Sequence, residues 1–416
     1  MDLIIGAGIS GLSYANFAKT NDYLIIEKDK EIGGYCKTIK KDGFTWDYSG
    51  HFFHFRSKEI KDYLLNEMKG QEILDVEKFT QIFYKHNYVD FPFQKNIHQL
   101  PKSEFIDCLY DLFNNAYEDE SSFKKMLYSK FGRSIAEMFL IPYNEKLYAC
   151  DLNKLDTEAM GRFFPHADKY EIIRNFKKPD NFSYNTYFTY PKGGAIEYVN
   201  SLYRRVDPNK VFLREELISI DKKRKTAITN KREIKYERLI SSIPLPILMN
   251  KAKINYDKNI YSWNKVLVFN LGFNKKGNDK INNWVYFPEK KYSFYRIGYY
   301  DNIFNDNRLS LYVELGFANN RNIDSNKYLE LVIKDLKKAG IIDNHKLISH
   351  VSIIMDPAYV HINKESESDK IRVKNELQKH NIFSIGRYGD WKYCSIEDNI
   401  IEAKELANKL IKTNNE

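Results

Sequence analysis

The chain has 416 residues, 43% hydrophobic and 15% aromatic, enough for a large core shared by roughly two or three packed units. Its formal charge of +9 is the small difference between 65 basic and 56 acidic residues in mixed order, which reads as a solvated surface. No nucleic-acid-binding module accompanies that charge, so nucleic acid is excluded as a partner and an anionic small molecule is retained. Cys36, Cys108, Cys150 and Cys394 lie far apart without a Cys-x-x-Cys pair, which argues against a disulfide framework and against a metal site. No apolar run has bilayer length, and Met1-Asp2 leads straight into a strand. We therefore expect no signal peptide, no membrane insertion and a cytoplasmic location.

Leu3-Ile4-Ile5 reads as a short strand ending in Gly6-Ala7-Gly8-Ile9-Ser10-Gly11, with Leu12 to Ala15 following in helical spacing. Gly6 permits the turn, Gly8 lets a pyrophosphate approach the backbone, and Gly11 allows the helix to pack closely on the strand. The helix N-terminus offers unpaired N–H groups and a positive dipole end to phosphate. A second strand, Tyr23 to Ile26, ends in Glu27, where a carboxylate can hold ribose hydroxyls. Ile32-Gly33-Gly34-Tyr35-Cys36-Lys37-Thr38 and then Gly43 to His51 come next. An acidic strand end followed by a second glycine pair resembles the glutathione-reductase-type FAD family, which includes amine oxidases and protoporphyrinogen oxidases.

From Lys58 to about Gly161 the pattern is mostly helical, with turns expected at Leu100-Pro101 and Ile141-Pro142. A strand-like stretch, Gln81 to Phe93, interrupts it. Short strands alternate with charged turns from Val211 to Ile243, and the basic run Lys222-Lys223-Arg224-Lys225 is a hairpin tip. Lys265–Phe273, Trp284–Phe287, Phe294–Tyr299 and Leu309–Gly316 read as antiparallel strands. Leu239 to Pro244, and later Ile382–Ile385 with Gly386 and a final helix near Asp398, resemble the segments that return to the FAD domain. The predicted fold is α/β. A Rossmann-like FAD-binding domain (1–75, 188–255 and 378–416) carries a helical domain (96–170) and an antiparallel-sheet substrate domain (76–95, 171–187 and 256–377).

Further segments occur in a fixed order. Ser49-Gly50-His51, Phe91 to Asn96, Pro142-Tyr143-Asn144-Glu145-Lys146-Leu147-Tyr148-Ala149 and Tyr190-Pro191-Lys192-Gly193-Gly194 come first. Trp284 to Glu289, Phe294-Tyr295-Arg296 and Gly386-Arg387-Tyr388-Gly389-Asp390-Trp391-Lys392-Tyr393 follow. Together they resemble the UDP-galactopyranose mutase family, its eukaryotic-type sequences more than the usual bacterial ones. The resemblance implies interconversion of the pyranose and furanose forms of a nucleotide sugar. Reduced flavin is the nucleophile there: N5 attacks the anomeric carbon, the diphosphate leaves, and a different hydroxyl recloses the ring.

By that resemblance His51, Arg162 and Arg296 carry the catalysis. The two arginines would clamp the diphosphate, since a guanidinium keeps its charge and its donor fork matches phosphate oxygens. Tyr286, Tyr359 and Tyr393 would add hydroxyl donors. His51 would stand beside the isoalloxazine ring; His54, where the family more often carries an aromatic residue, reads as loop packing or a rim contact. Phe91, Gln94, Asn144, Tyr148 and Asn185 would receive the nucleobase, ribose or phosphate. FAD would be held by Gly6, Gly8, Gly11, Glu27, Gly33, Gly34, Thr38, Gly50, His51, Leu217, Gly386, Arg387 and Asp398.

Phe91 and Tyr148 replace the family's usual tyrosine and tryptophan, and the segment 301–304 lacks an expected tyrosine. The sugar and nucleotide therefore stay open, a UDP-sugar for capsule or lipopolysaccharide synthesis being the expectation. NADPH or NADH is the electron donor the family implies. A homo-oligomer is also left open. An amine-oxidase-type oxidoreductase is the competing reading, and a nucleotide-sugar sensor without turnover a third.

Overall fold

The computed structural model describes residues 1–179 and 186–412. Five parallel strands form the first sheet, in the spatial order Ile382–Ser384, Arg238–Ser241, Asp2–Ile5, Tyr23–Glu27, Val211–Leu213. These strands are apolar on both faces, as strands buried between two layers must be. Ile4, Ile25 and Ile240 pack under Leu12 of the helix Ile9–Phe17 and Ala403 of the helix Ile396–Lys412. Leu3, Ile5, Ile26 and Leu239 face the opposite way, towards Leu245 and Leu248. The returning strands expected near Leu239 and Ile382 are thus present, flanking the first strand on one side.

The second sheet has eight strands, almost all antiparallel. Its longest, Ser262–Phe273, is paired on one side with Ser310–Ala318 and on the other with Leu347–Met355. Arg296–Tyr299 continues the sheet beyond Ser310–Ala318, so the strand expected from Phe294 begins two residues later. The stretch expected as one strand from Gln81 is a hairpin, Thr80–Tyr84 with Asn87–Asp90, docked in parallel on Trp284–Tyr286. The basic run at 222–225 does lie at a hairpin tip, between Leu217–Asp221 and Thr226–Thr229.

Helices Lys102–Phe113 and Phe123–Ile135 start the helical unit, with Cys108, Leu112, Phe131 and Ile135 buried between and beneath them. No break occurs at Ile141-Pro142. The backbone widens into a π-type turn over Ala136–Leu140 and runs on as the helix Ile141–Tyr148. Pro142 comes directly after this widened turn, within a continuous run of helical backbone. Lys146 fastens this helix to the sheet by donating to the carbonyls of Phe287 (2.7 Å), Glu289 (3.2 Å) and Phe294. Residues 169–177 are helical too. Asp168 and Glu171 form a capping box there, and Asn175 Nδ2 donates to the Lys95 carbonyl (2.9 Å).

Candidate functional site

The glycine turn shows why each glycine is needed. Gly6 has φ +102°, and a Cβ on Gly11 would overlap the Gly6 carbonyl oxygen, so helix and strand touch backbone to backbone. A Cβ on Gly8 would meet only the backbone of Gly33 and Gly34, at 3.8 Å or more. Two stretches bare of side chains thus face each other, a cradle open to a pyrophosphate. Glu27 ends the second strand, its Oε2 accepting from Ala7 N (2.8 Å) and its Oε1 from Asp29 N (2.9 Å). Each oxygen keeps a second lone pair, as holding a ribose requires.

Other residues expected around the cofactor have fixed partners. Thr38 donates to Asp47 (2.6 Å) and accepts from Ile196 N (3.0 Å). Leu217 opens its strand in register with Thr229, close to Glu27 because Glu215 N donates to the Glu27 carbonyl (2.9 Å). Gly386 (φ +85°) crosses so near Ser10 that a Cβ would overlap its hydroxyl, which brings the last strand–helix turn onto the first helix. Asp398 accepts from Ser395 N (2.8 Å), Arg56 (2.7 Å) and Arg162 (2.6 Å).

Next to the glycine turns a cleft of about 500 Å³ opens between the three units. Gly50 and His51 form part of its floor. His51 Nδ1 is buried without a hydrogen-bond partner, and burial, with the Arg387 charge nearby, lowers its pKa to about 4. At neutral pH the ring is uncharged, with one nitrogen left for a group entering the cleft. That orphaned nitrogen and the bare glycine cradle both fit a flavin dinucleotide.

Arg296 faces the same cleft from the strand edge. Its cross-strand neighbour is Glu314, and the two are joined by Nε–Oε2 (2.7 Å) and Nη2–Oε1 (2.9 Å) bonds. Glu314 also accepts from the Ser49 hydroxyl, tying the guanidinium to the loop that carries His51. Burial works to raise the Glu314 carboxyl, yet the adjacent guanidinium outweighs it and holds it below the usual range. A guanidinium has five N–H donors, and this side-on pairing engages only one edge of the fork. Arg387 supplies a second cation, half-buried and lying over the rings of Tyr393 (4.6 Å) and Tyr359 (5.3 Å).

Of the residues expected to touch substrate, Phe91, Asn144, Arg162, Tyr286, Arg296, Tyr359 and Tyr393 all line the cleft. Arg162 is near the mouth, over the Phe163 ring and paired with Asp398. Asn144 donates to the Leu140 carbonyl (2.7 Å), and its Oδ1 is buried without a partner. Gln94 and Tyr148 lie one layer behind the surface. Gln94 is fully buried and reaches the Pro165 carbonyl; Tyr148 is 1% exposed, edge-on to Tyr359. Asn185 falls outside the described residues. His54 does line the cleft, its Nδ1 lying 3.0 Å from the Tyr187 carbonyl.

Sequence reasoning missed Lys78, Tyr143, Trp284 and Tyr312 in the lining, and Glu314 behind it. Tyr143 stands in a segment that was singled out, and it packs edge-on against Tyr286 (5.1 Å). Glu314 had a readable signal. A lone carboxylate within the apolar run Ser310–Ala318 must find a cation when that strand is buried.

A family model described as an NAD(P)-binding Rossmann-like domain matches residues 4–66. Among solved structures, the chain is similar to a reduced UDP-galactopyranose mutase, with a TM-score of 0.91, 24% identity, and coverage of 100% of this chain and 94% of that one. It shares the fold of that structure, beginning with a Rossmann-like domain. A candidate protoporphyrinogen oxidase from Exiguobacterium sp. 255-15 superposes with a TM-score of 0.78 at 15% identity, covering 98% of each chain. Cyclohexylamine oxidase from Brevibacterium oxydans IH-35A gives 0.70 at 12% identity, over 100% of this chain and 99% of that one. The fold is therefore shared by an isomerase and by oxidases. No helix among the described residues is long and apolar enough to cross a membrane.

Proposed function

We infer that the chain binds FAD and, with the flavin reduced, interconverts pyranose and furanose forms of a nucleotide sugar, a UDP-sugar first among them. The observation that carries this reading is the Arg296–Glu314 pair beside the Gly50-His51 loop, with Arg296 on the wall of the cleft and Glu314 buried behind it. A diphosphate brings dense negative charge, and Arg296 meets it with its unengaged donors while Glu314 keeps the guanidinium from turning. Tyr286, Tyr359 and Tyr393 surround that point and can donate hydroxyl hydrogens to the same oxygens. Burial raises the first two hydroxyls above their ordinary value, so they stay protonated donors at neutral pH. Phe91, Tyr143 and Tyr286 offer aromatic faces to a nucleobase, with Asn144 Oδ1 as an acceptor beside them.

Reduced flavin would supply the nucleophilic nitrogen that makes departure of the diphosphate from the anomeric carbon reversible. The protein's own share is to hold the departing diphosphate within reach and to exclude water. A neutral His51 on the cleft floor can donate or accept without adding charge.

The amine-oxidase-type reading has support in the oxidases of the same fold. Arg387 weighs against it, since a guanidinium lining the cleft repels a cationic amine. A panel of UDP-, dTDP-, GDP- and CDP-sugars, given to dithionite-reduced and to oxidised enzyme, decides the matter. We expect pyranose–furanose exchange with the reduced form only. Peroxide production from an amine or porphyrinogen, without ring exchange, would overturn the proposal.

A further inference from the structure

The strand Trp284–Tyr286 has two faces. Trp284 and Tyr286 line the cleft, and Val285 between them points to the reverse side of the sheet. There Val285 and Phe83 pack with Val332 and Leu336 of the helix Ser325–Lys338, and with Ala339 just beyond it. The helix ends at Lys338, and Gly340 (φ +73°) closes its last turn. The cross-strand pair Phe83 and Tyr88 is left partly uncovered, and a hollow of about 680 Å³ remains between that hairpin, the helix end and residues 278–282. Its volume falls within the roughly 300–1,000 Å³ of small-ligand sites, and the sheet separates it from the cleft.

The hollow combines an apolar wall with a cationic rim. Tyr88 (39% exposed) and Ile281 (60%) stand out at its edge, beside Lys280, Lys337 and Lys338. Asp279 is the one carboxylate in the lining, and it is turned into its own loop. Its Oδ1 accepts from Ile281 N (3.1 Å) and Asn282 N (3.0 Å), and its Oδ2 from Asn282 Nδ2 (2.7 Å). Asn282 is 2% exposed, and its Nδ2 also donates to Gln81 Oε1 (3.2 Å). Both amide hydrogens are thus spent, while Oδ1 is buried without a partner. An acceptor in that state calls for an N–H or O–H from outside the chain. Lys337 and Lys338 suit the negative end of the helix dipole, and Lys338 donates to the Lys291 carbonyl (3.2 Å). Lys280 has no such role; it is exposed, on a loop, with no counterion among the described residues.

We propose that this hollow is a second ligand site and takes a nucleoside phosphate, with the base against Tyr88 and Ile281, a base N–H donated to Asn282 Oδ1, and the phosphate on Lys280 and Lys337. Each part of that ligand answers a separate observation. An aromatic plane fits the tyrosine face, a ring N–H satisfies the orphaned oxygen, and a phosphate matches cations that the fold leaves unpaired. An inorganic anion would leave the apolar wall and Asn282 unused, and an uncharged ring would leave the lysines unmatched. The site lies on the other side of the sheet from the cleft, so it is independent of what the cleft turns over.

Isothermal titration calorimetry of the full-length flavin-loaded protein with adenosine 5′-monophosphate tests this. Wild type should bind with a dissociation constant of about 10 µM to 1 mM, as suits a ligand of that size. Tyr88→Ala, and separately Lys280→Ala with Lys337→Ala, should each weaken binding about tenfold while leaving the flavin spectrum unchanged. Purine riboside 5′-monophosphate, which lacks the exocyclic amine, should bind about fivefold more weakly, and inorganic phosphate more weakly still. A cleft variant, Arg296→Met with Glu314→Gln, should bind adenosine 5′-monophosphate as wild type does. Absence of binding up to about 5 mM overturns the proposal. Equal affinity for the purine riboside or for inorganic phosphate overturns it as well. So does binding that is lost in the cleft variant and kept in the lysine variant, which would place the nucleotide in the cleft.

Discussion

Replacing Glu314 with glutamine tests the electrostatic centre of the cleft. Glu314 is 1% exposed, pairs with Arg296 through two bonds of 2.7 and 2.9 Å, and takes the Ser49 hydroxyl as well. Glutamine keeps the shape but removes the charge, and its amide turns N–H groups towards donors that need acceptors. Removing one partner of a buried ion pair costs about 3–5 kcal/mol, chiefly because the other charge is left without a counterion. Unfolding entropy for a chain of this length is about 0.9 kcal/mol per kelvin, so the melting temperature should fall by about 3–6 °C. Differential scanning calorimetry of the flavin-loaded protein measures this, with and without UDP. Because a diphosphate can replace the missing counterion, saturating UDP should raise the variant's melting temperature more than that of wild type. A variant that melts within about 1 °C of wild type, with an equal response to UDP, would refute the reasoning.

Other outcomes follow from the same geometry. Adding Arg296→Met to Glu314→Gln should recover most of the lost stability, because no lone charge is then buried, yet UDP binding by calorimetry should be abolished. Gly11→Ala drives a methyl group into the Gly6 carbonyl; the protein should purify with little or no flavin, read from its visible spectrum. His361 is 5% exposed, bonded to Ser262 and to the Tyr148 carbonyl, and burial lowers its pKa to about 4. The unfolded chain therefore takes up a proton there that the folded chain refuses. Stability from this site is complete above about pH 6.5 and is lost as pH falls towards 4, by roughly 3 kcal/mol in all. Urea unfolding at stepped pH should show a shallower acid slope for His361→Gln than for wild type. Lys146→Met deletes the donor to three carbonyls at once and should lower the melting temperature while sparing the flavin spectrum.

The parts of this protein legible in the sequence are those whose physics is local. Gly6, Gly8 and Gly11 announce a backbone turn because only residues without a Cβ fit it, and Leu3-Ile4-Ile5 announces a strand buried on both faces. The order of strands, helices and glycine pairs could be read the same way, whereas the candidate cleft residues were named only through segments that resemble a known family. Pro142 misled because its effect depends on context: a proline that would interrupt a regular helix follows a widened π-type turn here, and the helix runs on.

What tertiary structure alone decided is which side chains share a surface. Arg296 and Glu314 lie on successive strands, 18 residues apart, and become partners only through the register of those strands, and Ser49 joins them from another unit. Gln94 and Tyr148 carry the right chemistry for a nucleobase but fall behind the wall, while Tyr143, Trp284 and Tyr312 face the cleft. Helical or strand spacing gives the direction of a side chain relative to its own element. Whether that direction ends in a cleft or in the core is set by the neighbouring elements, and no local pattern encodes it.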